Sequence, residues 1–386
     1  MKKHNFSAGP SILPENVIKQ AAQTVIELDD IGLSILEISH RSNYFLDIIT
    51  EAQNLIKELL GISDDYEILF LQGGASLQFH MSAFNFSVKG GLNGYIDTGT
   101  WSNKAIKESE KIGFHPHNWD VKSITIASSK DKNYNYIPKN IDLETSVYNY
   151  NEKNHDTRTL NYLHFTSNNT IYGTQFHSFT NILKQLKNTK LICDMSSDIL
   201  SKKIDVNNFD LIYAGAQKNL GPAGCTLVII KKSSLTSRID IEKLNHNSPT
   251  YLNYNTHIEK KSMFNTPPVF SIYVVLLTLR WIKANGGVKK IEKNNNLKAK
   301  KLYDEIDRNK LFEGFAEKED RSIMNATFNL KEGKLKNVFE KMCNEEKISG
   351  IQGHRLLGGY RASMYNAMNI DSINVLVDIM RNIENK

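Results

Sequence analysis

Lys218 stands in a run of small residues, Ala214-Gly215-Ala216-Gln217-Lys218-Asn219-Leu220-Gly221-Pro222, directly after the apolar stretch Leu211-Ile212-Tyr213. Small side chains let a flat ligand approach the backbone closely. A lysine desolvated in such a turn has a lowered pKa, which frees its neutral amine to attack a carbonyl. Most lysines at strand ends are solvated surface charges, so the neighbouring segments must decide. Upstream, Leu191-Ile192-Cys193-Asp194 places a carboxylate at the C-terminal end of a second buried strand, where open α/β sheets bind ligands. Such a carboxylate either caps the next turn or keeps a pyridine-type nitrogen protonated.

Four further segments carry groups of the right kind. Gly73-Gly74-Ala75-Ser76 follows an apolar run and precedes a helix expected from Leu77 onward; backbone N–H groups at a helix start, with a serine hydroxyl, cradle phosphate. Trp101, in Thr98-Gly99-Thr100-Trp101-Ser102, is expected in a loop after the strand Tyr95-Ile96-Asp97. There it can stack on a planar ring, although core packing is the commoner fate of tryptophan. Asn168-Asn169-Thr170 offers a hydroxyl and, taken alone, reads as a plain turn. Two basic clusters remain, Ser39-His40-Arg41 and Gly353-His354-Arg355-Leu356-Leu357-Gly358-Gly359-Tyr360-Arg361. Arginine binds carboxylate and phosphate bidentately, and these groups exceed what one carboxylate needs. They suit a substrate with an anion at each end.

The elements that must position these residues alternate between helical and strand-like patterns. Pro14 opens a helix with Val17, Ala21, Val25 and Leu28 on one face, and Ile48, Ala52, Leu55 and Leu59 mark a second that stops at Gly61. Apolar runs at Ile68–Leu71, Leu191–Cys193, Leu211–Tyr213 and Thr226–Ile230 read as buried strands of a mainly parallel, seven-stranded sheet flanked by helices. Pro267-Pro268 starts a long apolar helix ending near Gly286-Gly287. A charged helix from Val288 to Ile306 and a strand at Ile323–Leu330 follow it. The expected division is a large ligand-binding domain at 15–285, with a smaller α+β domain formed by 1–14 and 286–386. The Asn/Lys/Asp/Tyr-rich stretch from about Ser128 to Asn161 is expected to be a long surface excursion.

Composition narrows the classes. The chain has 386 residues, 40% hydrophobic and 23% charged, which fits a folded protein of two or three domains. A net charge of +6 spread along the chain lacks the concentrated stripe that nucleic acid requires, and implies only a weak pull on anionic metabolites. Cys193, Cys225 and Cys343 show neither metal-ligand nor disulfide spacing, so no metal is expected and a reducing compartment, the cytosol, fits best. The N-terminus carries no signal or transit pattern. Val269–Leu279 is too short to span a bilayer. Neither nucleic acid nor membrane is an expected partner.

Taken together and in order, these segments resemble the phosphoserine aminotransferases, class-V members of the fold-type I pyridoxal-phosphate enzymes. The likeness runs nearly end to end through Asn5-Phe6-Ser7-Ala8-Gly9-Pro10, Ile38–Arg41, Gln72–Phe79, Ala214–Lys218, Met263–Pro268 and Gly353–Arg355. It implies pyridoxal 5'-phosphate as cofactor, with Lys218 as the Schiff-base lysine and Asp194 on the pyridine nitrogen. Trp101 would stack on the ring and Thr170 would bond its phenolate oxygen. Ala75, Ser76 and Gln217 would hold the phosphate, joined by Asn265 and Thr266 from the second subunit of a homodimer with shared active sites. Arg361 would take the substrate α-carboxylate. Ser7, His40, Arg41, His354 and Arg355 would complete the substrate site, the last four around the distal phosphate. The implied reaction transfers the amino group of glutamate to 3-phosphohydroxypyruvate, giving O-phosphoserine and 2-oxoglutarate for serine synthesis. Phosphohydroxy acids of vitamin B6 synthesis carry the same two anionic ends. Asn169 departs from the family, which often has an acidic residue beside the threonine. Two rivals stand beside this reading. A cysteine desulfurase or lyase of the same fold needs a reactive cysteine, and a non-catalytic phosphometabolite-binding protein would have lost the lysine or its partner carboxylate.

Overall fold

Runs of apolar residues bury both faces of a strand, as at Leu227–Ile230, and seven strands form one sheet. The computed structural model describes residues 3–113, 120–235 and 249–385. The strands are β1 (Tyr66–Leu71), β2 (Leu92–Asp97), β3 (Lys122–Ser128), β4 (Leu160–Thr166), β5 (Lys190–Asp194), β6 (Leu211–Gly215) and β7 (Thr226–Lys231), ordered β1-β7-β6-β5-β4-β2-β3. Only β7 runs antiparallel to its neighbours. The chain is therefore an α/β protein with a seven-stranded, mainly parallel sheet.

Side chains alternate between two buried layers, as a pleated strand demands. Ile68 and Phe70 join one core, built with helices α1 (Glu15–Ile26), α2 (Asn43–Leu60) and, after β7, the apolar Val269–Ala284 helix. Leu69 and Leu71 join the other, under α3 (Gly74–Phe86) and α4 (Thr100–Gly113). Leu276 and Leu279 are fully buried; a leucine packed this way is worth about 2–5 kcal/mol against alanine. Gly61 ends α2 at φ 66°, a left-handed conformation that costs glycine little. The first helix differs from expectation: it stops at Ile26, and Val25 lies 37% exposed while Val17, Ala21 and Thr24 are buried.

The polar stretch at 128–161 runs largely over the surface, as expected, but is pinned to the body of the protein by a few buried residues. Among its many polar residues, Tyr134, Ile137 and Ile141 are buried. The Tyr134 hydroxyl donates to Asp97 Oδ2 at 3.1 Å, and the Ile137 N–H donates to Asp320 Oδ2 at 2.8 Å. Lys139 pairs with the same carboxylate. The chain then enters α5 (Leu143–Asn154), where Asp142 caps the Thr145 N–H. Three apolar anchors outweigh a polar composition because the surrounding polar groups find partners.

Beyond α5, the helix Val269–Ala284 (α6) meets α7 (Gly287–Arg308) at 83°. Among the described residues no single helix is long and apolar enough to cross a membrane. Helix α7 joins two cores, giving Val288 and Ile291 to the first and Ala299, Leu302 and Ile306 to a second. That second core contains the antiparallel strands β8 (Phe312–Gly314), β9 (Asn325–Leu330) and β10 (Tyr360–Ser363), with helices α8 (Lys336–Glu345) and α9 (Ile370–Asn382). The strand foreseen from Ile323 begins at Asn325. Phe6 belongs to the same core, and His4–Asn5 pairs in parallel with Ile348–Ser349.

Candidate active site

Five parallel strands end on one cavity of about 360 Å³. The turn after β1 brings Gly74, Ala75 and Ser76, and the turn after β2 brings Trp101. Beyond β4 lie Thr166, Asn168 and Thr170, β5 ends in Asp194, and the turn after β6 carries Gln217 and Lys218. Strand β10 adds Arg361, and the loop before it His354. All but Arg361 and His354 lie at the C-terminal edge of the seven-stranded sheet, where parallel strands hand over to a helix or turn; those two come from the smaller antiparallel sheet and the loop leading into it.

Local sequence fixes each group. Gly73 caps α3 at φ 88°, and a Cβ there would lie 2.5 Å from Leu77 Cδ2, so only glycine turns the chain this tightly. Ala75 and Ser76 consequently fall in the first turn of α3, with free N–H groups directed out of the helix start. Trp101 is likewise in the first turn of α4 rather than in a loop. Thr98 and Gly99 N–H groups both donate to Ser102 Oγ at 3.0 Å, which lets the helix begin earlier than its glycine suggests. Asn168 and Asn169 pair with Gln175 and Thr174 in a short hairpin that presents Thr170 at its tip. Asn169 is buried there, donating to Thr174 Oγ1 at 3.1 Å and accepting from Thr98 Oγ1 at 3.2 Å.

The Lys218 amine donates to Thr170 Oγ1 at 3.1 Å and lies 5.7 Å from the centre of the Trp101 ring. Burial pulls its pKa down to about 8; the carboxylate of Asp194 opposes that shift and the Arg361 guanidinium reinforces it. At pH 7 about one amine in ten is then neutral, against about one in three thousand for a solvated lysine. Capture of a small aldehyde by the ligand-free protein is expected to rise with pH through a midpoint near 8 rather than near 10.5. Stopped-flow absorbance reads that midpoint, and a value above 10 would mean a solvated amine.

Asp194 faces the same space, 4% exposed, accepting from the Ser196 N–H at 2.9 Å. Burial pushes its carboxyl upward, while Lys218 and Ser196 pull it back. Three residues lining the cavity carry a buried polar atom with no partner among the described residues: Trp101 Nε1, Thr166 Oγ1 and Arg361 Nε. Leaving such atoms unsatisfied costs about 1–3 kcal/mol each, a cost that a ligand bonding to them would remove. The donor set suits a flat, phosphorylated, carbonyl-bearing molecule. Such a set can offer helix-start N–H groups to an anion, an indole face to a planar ring, a carboxylate to a cationic nitrogen and an amine to a carbonyl.

His354 sits at the mouth, where burial lowers its pKa and the charges of Arg361, Arg355 and Lys104 lower it further. The Leu356 N–H donates to its Nδ1 at 3.2 Å, which leaves Nε2 to carry the proton. A Cβ on Gly353 would collide with the Gly358 carbonyl oxygen. Gly353→Ala is therefore expected to open the loop and raise the KM of anionic substrates by about tenfold. An unchanged KM would mean that loop shape is irrelevant to binding.

Six expected site residues do not line this cavity within the chain. Ser7 packs against Gly350, Arg355 is exposed, and His40 and Arg41 lie in the α1–α2 connection. Asn265 and Thr266 line a separate small crevice, where Asn265 Nδ2 donates to Gln72 Oε1 at 3.2 Å. Conversely, Phe79, Thr166, Asn168, Ser196 and Ser197 line the cavity without having been foreseen. Thr166 was within reach of sequence reasoning, since it ends β4 directly beside Asp194 on β5. All three cysteines are buried, with burial pushing Cys225 and Cys343 up to about 12 and Cys193 well upward. None offers the reactive thiolate that a desulfurase requires.

Residues 3–376 match the aminotransferase class-V family. The chain belongs to that family. A phosphoserine aminotransferase of Flavobacterium psychrophilum is 50% identical, each chain covered completely. A phosphoserine aminotransferase solved in a study of radiation damage to its Schiff base is similar at 43% identity, with a TM-score of 0.89 covering 100% of this chain and 99% of that one. The PLP-bound phosphoserine aminotransferase of Trichomonas vaginalis follows at 31% identity and TM-score 0.84, covering 98% and 100%. This class-V aminotransferase therefore carries its amine and acid at the edge of the seven-stranded sheet and its arginine on the facing antiparallel sheet, in a fold shared with solved members of the family.

Proposed function

We propose that this aminotransferase binds pyridoxal 5'-phosphate and moves the amino group of glutamate to 3-phosphohydroxypyruvate, forming O-phosphoserine and 2-oxoglutarate. The observation that carries the reading is the convergence of a desolvated Lys218 amine, Asp194 and the unpartnered Arg361 Nε on one cavity. When bound, the cofactor supplies an electron-withdrawing ring that makes the Cα proton of an amino acid acidic. Each role then falls to a residue already in place. Ala75, Ser76 and Gln217 hold the phosphate, Trp101 covers the ring face and Asp194 keeps the ring nitrogen protonated. Thr170 Oγ1, which accepts from Lys218 Nζ at 3.1 Å, would serve the ring oxygen of the bound cofactor. Lys218 Nζ anchors the cofactor and then carries the Cα proton. Arg361 takes the α-carboxylate.

The same reading makes the active unit a homodimer. His40, Arg41, Asn265 and Thr266 lie outside the cavity of their own chain, as residues that complete a neighbour's cavity would. Around them Leu36, Tyr44 and Phe264 are 63%, 50% and 40% exposed, apolar area that a second copy would cover. The cofactor-binding unit is 15–285, and 1–14 with 286–386 form the smaller one. Buried, unpaired thiols suit a cytosolic enzyme. A phosphohydroxy acid of vitamin B6 synthesis is a second substrate, favoured by the same two-ended cation arrangement.

Single-turnover kinetics test the assignment. Enzyme loaded with amino groups from glutamate should react rapidly with 3-phosphohydroxypyruvate, more slowly with its one-carbon-longer hydroxylated analogue, and at least about 100-fold more slowly with unphosphorylated hydroxypyruvate. Equal rates with and without the phosphate would defeat the substrate reading.

A further inference from the structure

Lys104 was not foreseen as a site residue, and no ion pair among the described residues involves it. It follows Trp101 by one helical turn on α4, and its ammonium lies 4.8 Å from the centre of the indole that walls the cavity. The carboxylate one turn further along, Glu108, is taken by His80 at 3.6 Å and Lys111 at 2.5 Å. Arg355 and Arg361 likewise have no carboxylate partner among the described residues. Lys104, Arg355 and Arg361 thus all bear on His354 as positive charges without a carboxylate partner among the described residues, an arrangement that self-repulsion disfavours until an anion arrives. Lys104 also acts on the His354 imidazole as one of three neighbouring positive charges.

We propose that Lys104 is a specificity-determining residue, meeting the distal anion of the substrate with His354 and Arg355 and selecting a dianionic tail over a carboxylate. This rests on the two-substrate reading above. Arg361 takes an α-carboxylate that both substrates share, so discrimination has to occur at the far end. A phosphate monoester carries nearly two negative charges at neutral pH and the glutamate side chain one. Lysine is a hydrated point charge on a flexible stem, and its attraction scales with anion charge where a fixed arginine fork rewards shape. About threefold in affinity per unit charge is expected of a cation roughly 6 Å away in a water-exposed mouth. The squared factor, about ninefold, applies to the phosphorylated acid.

The test compares wild type, Lys104→Gln and Lys104→Arg as cofactor-loaded enzymes, measuring kcat/KM for 3-phosphohydroxypyruvate and for glutamate at two salt concentrations. Lys104→Gln should lose about ninefold with the phosphorylated acid and about threefold with glutamate, and should flatten the salt dependence of the former. Lys104→Arg should restore most of both. Calorimetric titration of O-phosphoserine should show the same weakening, and an unchanged melting temperature excludes misfolding of this exposed position. Equal losses for the two substrates, or none, overturn the role of Lys104. A wild type indifferent to the phosphate overturns the substrate reading first, and the proposal with it.

Discussion

Lys218→Ala is expected to reduce amino transfer by at least about 10⁴-fold, the scale on which a positioned proton carrier acts before loss of the covalent anchor is added. The argument is geometric before it is electrostatic. The amine touches Thr170 Oγ1, lies over the indole and faces Asp194, so it can reach both a carbonyl held against Trp101 and a proton on a substrate carbon there. Its neighbours in the turn cannot substitute, because the Gln217 amide has no basic nitrogen and Asn219 is committed to Ser197 O at 3.1 Å. The variant should fold well. A lysine whose pKa falls from 10.5 to about 8 on burial prefers to be neutral in the folded state, so its ammonium costs stability at pH 7. Stability from this group rises as pH climbs through 8, and alanine removes the penalty below it. Steady-state rates beside melting temperatures check both halves. Residual turnover within tenfold of wild type would remove Lys218 from the chemistry.

Asp194→Asn should lower kcat/KM by about 10²–10³-fold, the range found when one preorganised electrostatic group is removed. The amide keeps the shape and hydrogen bond of the acid but cannot hold a proton on a facing ring nitrogen by charge. A second effect follows on Lys218, whose amine loses the negative charge that holds its pKa up. The midpoint for aldehyde capture should therefore move below 8. The sign for stability is opposite to that of a surface carboxylate. Burial raises the Asp194 pKa above 3.8, so the ionised form present at neutral pH destabilises the fold, and the penalty builds as pH rises from about 3.8 to the raised pKa and is complete above it. The amide should melt no lower than wild type at pH 7. A drop in activity accompanied by a large drop in melting temperature would point to a structural acid instead.

These residues were legible because the chemistry of a parallel sheet concentrates at strand ends, and strand ends are marked locally. An apolar run followed by Asp194, by Gly73-Gly74 or by the small residues around Lys218 signals its own position. The network between the two cores left no such mark. Asn168 Nδ2 donates to Ser197 Oγ and Asn325 Oδ1, each at 2.8 Å, and Asn325 continues to Ser363 Oγ at 3.0 Å. Tyr365 then reaches the Ala8 carbonyl at 2.7 Å. Partners separated by about 30 to more than 350 positions have no spacing to read, and asparagine and serine signal turns as readily as buried bonds. That network ties the hairpin of Thr170 to the strand of Arg361, so the arginine's setting depends on it. The anchoring of the surface stretch at 128–161 is hidden for a related reason, since its mostly polar composition gives no sign of where Tyr134, Ile137 and Ile141 fall. Trp101 was displaced by one element because a glycine was taken as loop when Ser102 closes the helix start.

Borohydride trapping of the purified protein supplied with pyridoxal 5'-phosphate, followed by peptide mass mapping, addresses covalent capture at Lys218 without relying on any substrate. One reduced adduct on the peptide containing Lys218 is the expected result, with the cofactor absorbance band lost on reduction. Absence of an adduct, or its appearance on a different lysine while Lys218 stays free, would contradict the account.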